Sequence, residues 1–210
     1  MAKFLKSTWF RCISTLLVII LFSGSSISIL SDVLYVSPEE RTMRGIIKVY
    51  GTAIDYDTVY DVDNADYSLE DLPTKQQALI KQDQGEITKI YKVGNDELLF
   101  QSIGFGGFKN GTVTLWVRVK VQNDKYSIEQ VVLETNKSQS LINNLKGSYY
   151  ANFELADVTD AWKKGELFTT EKGQVNSNPV AGATYSANAG NNAVNCVIKY
   201  VGEVYDNEQN

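Results

Sequence analysis

Asn178-Pro179-Val180-Ala181-Gly182-Ala183-Thr184-Tyr185-Ser186 is the stretch of this sequence that leads directly into its most regular apolar segment. The residues at 181–183 carry side chains of minimal size, so that a ligand could approach the backbone closely. Thr184 then places a hydroxyl group just ahead of an expected helix. The pattern indicates a binding site, and the alternative is a small-residue turn in which Thr184 or Ser186 only caps the helix.

The segment after this stretch predicts an amphipathic helix that runs to about Tyr205. Its apolar residues recur at the i, i+3, i+4 spacing of one buried face, at Ala193, Val194, Val197, Ile198, Val201 and Val204. Thr184 would therefore lie near a helix N-terminus, where unpaired N–H groups and the helix dipole favour a phosphate. We expect the bound molecule to be a phosphorylated cofactor.

Upstream of this helix, four β-rich runs predict an antiparallel meander, at 86–93, 97–103, 112–121 and 126–133. A helix is predicted before them at 72–84, started by Pro73 and ended by Gly85. Residues 55–71 are acidic but lack the glycine and the ligand spacing of a calcium loop, so we expect a solvated loop. The predicted fold class is α+β, with one domain in which the meander is flanked by helices.

The Gly-rich segment at 104–111 separates the second and third β-rich runs. A strand pattern follows it, whereas a dinucleotide-binding fingerprint would be followed by a helix. By itself this segment predicts a hairpin loop.

The motif at 181–186 resembles the Ser-Gly-Ala-Thr-x-Ser/Thr flavinylation motif of the FMN-binding domain family. That family includes the G subunit of Rnf complexes and the C subunit of Na+-translocating NADH:quinone reductases, in which the Thr carries FMN through a phosphoester bond made by a flavin transferase. The resemblance implies that Thr184 carries covalent FMN, with Ala181, Gly182, Ala183, Tyr185 and Ser186 around it. Ala181 and Asn178 stand where the family usually has Ser and often has Asp.

Three further segments resemble the same family and occur in the family's order. Gly104, Gly106 and Gly107 lie in a segment similar to its Gly-Tyr-x-Gly-Pro, and Val132-Leu133-Glu134-Thr135 is similar to its Glu-Thr-Pro-Gly after the last meander strand. Residues 160–165 resemble its aromatic-Lys-Gly stretch. The resemblance therefore adds Gly104, Gly106, Gly107, Glu134 and Thr135 to the expected cofactor-binding residues.

The N-terminus of the chain predicts a membrane anchor. Basic residues precede an uncharged apolar run at 12–31, which at about 1.5 Å per residue is long enough for a bilayer core of roughly 30 Å. The basic flank predicts that 1–11 is cytoplasmic and that the domain after the span is extracytoplasmic. The alternative is a signal peptide that is cleaved in the small-residue region at 23–26.

Ser37-Pro38-Glu39-Glu40 has the pattern of a capping box with proline at the first helical position. Met43, Ile46, Ile47 and Tyr50 then predict the apolar face of a helix that stops at Gly51. We expect juxtamembrane helices and the acidic loop over 32–84, and the FMN-binding domain over 85–210.

Composition restricts the chemistry that the chain could perform alone. It has no histidine, which excludes Ser-His-Asp and Cys-His catalysis and removes a common ligand of zinc sites. Cys12 and Cys196 form no CxxC pair, and the predicted topology separates them by about the thickness of a bilayer. A net charge of -5 argues against a nucleic-acid partner.

The function implied by the resemblance is electron transfer by covalent FMN in a single-pass protein of the cell (inner) membrane. Its partners would be other membrane subunits of an Rnf- or Nqr-type complex, so that the chain is a redox subunit and not a catalyst alone. One alternative is a stand-alone flavinylated electron carrier at the cell surface. Another is an anchored ligand-binding module without redox chemistry, which would bind through 104–111 and the acidic loop.

Overall fold

The computed structural model describes residues 12–20, 36–123 and 125–205, which belong to two compact units, Met1–Arg41 and Thr42–Asn210. In the first unit, helix α1 spans 12–20. Among the described residues, no helix combines the length and the apolar character needed to cross a membrane. Residues 21–31 of the predicted span and the predicted cytoplasmic segment 1–11 lie outside the described part of the chain.

Helix α2, Pro38–Tyr50, begins where the capping-box pattern predicts. The Ser37 hydroxyl oxygen accepts the backbone N–H of Glu40 at 3.1 Å, and Gly51 follows the helix with a φ of 76°. The predicted apolar face is only partly right. Ile46 is buried, but Ile47 is exposed, and the other buried positions are Thr42, Gly45 and Val49.

Gly45 explains why α2 is rotated from the predicted face. A Cβ atom at this position would overlap the indole ring of Trp116, so only glycine lets the helix approach the tryptophan this closely. The prediction assigned the buried face of α2 from its large apolar residues, whereas the closest approach to Trp116 is made at Gly45, the smallest residue of the helix.

Six strands form one sheet, in which every pairing is antiparallel. They are β1 Asp57–Asp61, β2 Lys81–Gln82, β3 Gly85–Val93, β4 Glu97–Gly104, β5 Thr112–Gln122 and β6 Lys125–Lys137, in the order β1-β3-β4-β5-β6, with β2 also paired to β3. The predicted meander is confirmed as β3 to β6. Because β6 continues to Lys137, Glu134 and Thr135 lie inside this strand and not after it.

Helices cover both faces of the sheet. They are α3 Thr74–Ile80, α4 Gly147–Ala151, α5 Val158–Lys164 and α6 Thr184–Tyr205, in addition to α2. The larger core joins α6 to alternate strand residues such as Phe100, Leu115 and Val117. On the opposite face, Ile46 and Val49 of α2 pack with Tyr91, Leu99 and Trp116. The predicted α+β architecture is confirmed for the described residues.

The helix predicted at 72–84 is shorter than expected. Helix α3 ends at Ile80, and β2 follows it by pairing Lys81 with Glu86 and Gln82 with Gly85. The Gln82 amide donates to the carbonyl oxygens of Leu79 and Cys196. Pairing with β3 therefore overrides the helical tendency of this segment.

The prediction of a solvated loop at 55–71 is wrong for its central part. Residues Asp57–Asp61 form β1 at the edge of the sheet, and short 3-10 turns follow at Ala65–Tyr67 and Leu69–Asp71. Asp61 is buried, and it accepts hydrogen bonds from Lys89 at 2.7 Å and from the Tyr91 hydroxyl at 2.6 Å. Lys89, which lies opposite Asp61 on the neighbouring strand β3, compensates the charge of this carboxylate.

Cys196 behaves as the helical pattern predicts. It is buried on the core side of α6, and burial raises the pKa of its thiol to about 12. Its sulfur therefore packs as a small apolar group.

Candidate functional site

A tight turn over residues 180–183 immediately precedes α6 at the predicted site. The N–H of Ala183 donates to the carbonyl oxygen of Val180 at 3.1 Å, and Gly182 adopts a φ of 76°. This left-handed conformation is accessible to glycine at little cost, which accounts for the glycine inside the motif. Ala181 and Gly182 are exposed at the surface, and Ala183 is buried under the turn.

Thr184 is the first residue of α6, a helix of 22 residues. The first backbone hydrogen bond of the helix runs from the N–H of Ala187 to the carbonyl oxygen of Ala183, at 2.9 Å. Within the described part of the chain, the N–H groups of Thr184, Tyr185 and Ser186 have no acceptor. Three parallel donors at the positive end of a long helix dipole form a good environment for a phosphate.

The hydroxyl groups of the motif differ in their accessibility. The Thr184 side chain is exposed, whereas Ser186 is buried and donates to the Gln139 side-chain oxygen at 2.9 Å. Tyr185 is 63% exposed. Of the two aliphatic hydroxyl groups in the motif, only that of Thr184 is open to an external reagent.

A cavity of about 100 Å³ lies directly at the start of α6. Five of its lining residues are those predicted from the motif: Gly182, Ala183, Thr184, Tyr185 and Ser186. The other lining residues are Phe108, Ser140 and Leu141, which come from two loops. The structure thus brings the motif together with three residues that were not individually predicted.

The Gly-rich segment reaches the site by packing closely on α6. A Cβ atom on Gly104 would overlap the carbonyl oxygen of Ala189, and one on Gly106 would lie 2.9 Å from the Asn188 amide nitrogen. Asn192 also donates to the carbonyl oxygen of Phe105 at 2.9 Å. Gly104 and Gly106 therefore serve close helix–strand packing, and they do not line the cavity themselves.

Gln139 joins the Gly-rich segment to the start of α6. Its side chain is buried, and its oxygen accepts the N–H of Phe108 at 3.3 Å and the Ser186 hydroxyl at 2.9 Å. Its amide nitrogen donates to the carbonyl oxygens of Phe108 and Lys137. Gly107 lies against this amide, so that a side chain there would displace it.

Asn178 anchors the other end of the motif. It is buried, and its amide nitrogen donates to the carbonyl oxygen of Tyr149 at 3.1 Å, while its side-chain oxygen accepts from Asn152. A carboxylate could not make the first of these bonds, because it has no N–H group to donate. Asn178 is thus a structural residue of this particular loop.

Tyr149 fixes the first turns of α6 from the side. Its hydroxyl donates to the carbonyl oxygen of Ala187 at 2.8 Å and contacts the Asn191 side-chain oxygen at 3.1 Å. Burial raises the pKa of Tyr149 well above its usual value, so the hydroxyl stays protonated and remains a donor. The helix N-terminus is therefore held rigidly in place.

Glu134 and Thr135 are not brought into the cavity. The Glu134 carboxylate accepts from the Trp116 indole and pairs with Lys48, each at 2.9 Å, on the face of the sheet covered by α2. Thr135 is exposed on β6, opposite Thr114. Glu134 therefore lies on the α2 side of the sheet, away from the face on which α6 packs.

Larger clefts lie away from Thr184. One, of about 510 Å³, runs between β6 and α4 and includes Tyr150, and another, of about 460 Å³, lies beside the loop at 164–176. In the second cleft, Asn195 binds both backbone polar groups of Phe168, and Asn176 donates to the carbonyl oxygen of Glu166. The side-chain amides of Asn195 and Asn176 thus serve largely to hold this loop on α6.

No match was found among known protein families, curated proteins or solved structures. The resemblance to the FMN-binding domain family therefore stays a prediction that rests on the residues of the motif.

Sequence reasoning missed Gln139, Phe108, Ser140 and Leu141 as residues of this site. Phe108 could have been predicted as a surface binding residue, since a large aromatic side chain inside a Gly-rich loop has few core residues to pack against. Gln139 could not have been predicted, because its role depends on two backbone segments that only the folded chain brings together.

Proposed function

We propose that this chain is a membrane-anchored, extracytoplasmic electron-transfer protein that carries FMN as a phosphoester of Thr184. The observation that carries the proposal is the exposed Thr184 hydroxyl at the first position of α6, beside three N–H groups without an acceptor in the described part of the chain. The helix dipole stabilises a phosphate at that position. The ordinary alternative, a helix cap, is disfavoured because no side-chain oxygen of the motif accepts an N–H of the first turn.

The residues present fit the phosphate end of the cofactor. Backbone N–H groups of Thr184, Tyr185 and Ser186 would hold its oxygens, and the turn at Gly182 leaves space beside them. A side chain larger than that of Ala181 or Gly182 would narrow this approach. The tether would retain FMN outside the cytoplasm, where free cofactor is not replenished.

The ring system of FMN would lie outside the cavity. The volume of about 100 Å³ is well below the roughly 300–1,000 Å³ of pockets that enclose a small molecule. The surrounding surface offers Phe108, Leu141 and Tyr185, which are 44%, 50% and 63% exposed. A ring on this surface stays within reach of an electron-transfer partner.

FMN held at Thr184 would supply the redox chemistry for electron transfer between partner proteins. The protein holds the phosphate, orients the ring and presents it at the surface. A single redox centre on one side of a membrane cannot move electrons across it, so we infer partners in the membrane. By resemblance these are the integral subunits of an Rnf- or Nqr-type complex, and a flavin transferase performs the attachment. The Thr184 oxygen would attack the FMN phosphorus of a flavin pyrophosphate donor, the P–O–P bond of the donor would break, and the nucleoside monophosphate would leave as the hydroxyl proton is released.

Co-expression of the full chain with a flavin transferase tests this proposal. The purified protein is expected to be yellow, and its band in a denaturing gel is expected to fluoresce. Purification in mild detergent should recover it together with multi-pass membrane subunits from a host that has such a complex. A chain that stays colourless beside an active transferase would contradict the proposal and favour a non-redox binding module.

A further inference from the structure

Two exposed aromatic side chains lie next to each other in the lining of the Thr184 cavity. The ring centres of Phe108 and Tyr185 are 6.1 Å apart, and their planes meet at 57°. Both rings line the cavity. We call this pair the aromatic corner. Large aromatic side chains gain free energy by leaving water, so two such rings left open beside a cavity indicate a surface that another group covers.

The backbone that presents Phe108 is unusual. Lys109 and Asn110, the two residues after it, have φ angles of 51° and 56°. Left-handed conformations are uncommon for residues other than glycine and cost free energy, so consecutive ones persist only where the surroundings enforce them. Such backbone is concentrated at binding and switching sites.

Gln139 enforces this backbone. Its side chain contacts both backbone polar groups of Phe108, and the same oxygen receives the hydroxyl of Ser186, next to Tyr185. One buried side chain therefore fixes the loop that carries Phe108 and the helix turn that carries Tyr185. The relative position of the two rings depends on it.

We propose that Gln139 is a positioning residue that holds the aromatic corner in place, and that the corner binds the flavin ring system tethered at Thr184. This inference rests on the proposed function. The cavity is too small for the ring system, and Thr184 lines the same cavity as both aromatic residues, so the ring leaves the cavity at the corner. A planar aromatic molecule is the chemical class that such an arrangement accepts, through face and edge contacts.

Flavin fluorescence tests the corner directly. A tyrosine in contact quenches excited flavin by lending it an electron that then returns, whereas phenylalanine is not oxidised under these conditions. Tyr185→Phe in the flavinylated full chain should raise the fluorescence yield several-fold, with the attached mass unchanged. Tyr67→Phe is the matched control, an exposed tyrosine on the 3-10 turn near β1, and it should leave the yield unchanged.

Gln139→Met tests the positioning role, because methionine keeps the length of the side chain but makes none of the four hydrogen bonds. We expect brighter flavin and weaker visible circular dichroism at full attachment, since the ring loses its fixed environment. Gln82→Met is the control. The Gln82 amide also bridges two backbone carbonyls, at Leu79 and Cys196, and Cys196 lies about 18 Å from Thr184 along α6.

These measurements distinguish a failure of the aromatic corner from a failure of the Thr184 ester. Full attachment with unchanged fluorescence in both Tyr185→Phe and Gln139→Met would overturn the aromatic corner and leave the Thr184 ester standing. If the wild type acquires no covalent flavin, lumiflavin, which has the ring system but no phosphate, is titrated into the unmodified chain. Quenching that is present in the wild type and lost in Tyr185→Phe supports the corner, and no quenching in the wild type overturns it.

Discussion

Gly104 is the residue on which the separation between the sheet and α6 depends most directly. A Cβ atom there would overlap the carbonyl oxygen of Ala189 and crowd the N–H of Ala193 at 2.5 Å. Neither backbone atom can move without displacing the helix that carries Thr184. The family-like Gly-rich segment thus acts on the site through packing distance, and not through direct contact with a ligand.

We therefore expect Gly104→Ala to destabilise the fold by about 1–3 kcal/mol, as overpacking of a tight interior does. Urea unfolding of the full chain followed by circular dichroism measures the loss. Gly147→Ala is the control, because a Cβ atom on Gly147 meets no heavy atom within 4 Å. Equal stability of Gly104→Ala and the wild type would show that the helix is not held at this distance.

At the scale of elements, β1 is held to β3 by a buried charge cluster. Lys89 lies 2.7 Å from Asp61 and 2.9 Å from Asp63, and Asp61 also accepts from Tyr91. Asp61→Asn leaves Lys89 with only the more exposed Asp63, so we expect a loss near the lower end of the roughly 3–5 kcal/mol typical of a broken buried pair. Amide hydrogen exchange should accelerate in β1 before β4.

Asp63→Asn is the comparison for this cluster. The Asp63 side chain is 45% exposed, and its removal should cost no more than about 1 kcal/mol. Adding Lys89→Met to Asp61→Asn should recover stability relative to Asp61→Asn alone, since the buried charge that Asp63 only partly compensates is then gone. A larger loss for Asp63→Asn than for Asp61→Asn would show that the wrong carboxylate has been assigned as the main partner.

The pairing of β4 with β5 should make stability depend on pH. Burial is the largest single influence on Glu97 and alone would raise its pKa, but the hydrogen bonds that its carboxylate accepts and the positive charges of Arg118 and Lys120 together outweigh burial, and the pKa is lowered overall. Because the folded value lies below the unfolded value of about 4.3, this contribution is present above that pH and is lost as pH falls through the folded value. Glu97→Gln should cost about 1 kcal/mol at pH 7.

The free energy of unfolding of Glu97→Gln should also decline less steeply than that of the wild type below about pH 4.3. Denaturant titrations at several pH values measure both slopes. Glu171→Gln, at an exposed position without an ion pair among the described residues, is the control. If the free energies of unfolding of Glu97→Gln and the wild type change with pH in parallel, the lowered pKa assigned to Glu97 is contradicted.

The strands and helices that follow a periodic pattern were predictable from the sequence. The four meander strands and α6 bury alternate or helically spaced apolar residues, and that spacing is visible in the chain itself. The strand β1 was not predictable in this way, because Asp61 is stabilised by Lys89, a residue on another strand. The same applies to β2, which exists only because β3 is beside it.

The residues of the site also differ in whether local sequence patterns could predict them. The turn, the helix start and the exposed hydroxyl of Thr184 follow from a contiguous motif, so local rules suffice to find them. Phe108, Leu141 and Gln139 reach the cavity from loops that are distant in sequence, and no local rule connects them to Thr184. Glu134 entered the prediction by resemblance alone, and it lies on the face of the sheet covered by α2.

At the scale of the whole molecule, the proposed function requires the domain to lie outside the cytoplasm. The basic N-terminus and the apolar run at 12–31 predict that orientation. Protease added to bacterial spheroplasts that express the full chain should digest the folded domain while a cytoplasmic marker survives. Complete protection of the domain, with digestion only after lysis, would contradict the orientation.

The intact mass of the full chain reports whether Thr184 carries FMN. Co-expressed with a flavin transferase, the wild type should gain the mass of one FMN less one water. Thr184→Val, which is nearly isosteric but lacks the hydroxyl, should fold and gain nothing. Ser186→Ala, at a buried hydroxyl bonded to Gln139, and Tyr185→Phe should both keep the gain. Retention of the added mass by Thr184→Val, or its absence from the wild type beside an active transferase, would contradict the attachment of FMN to Thr184.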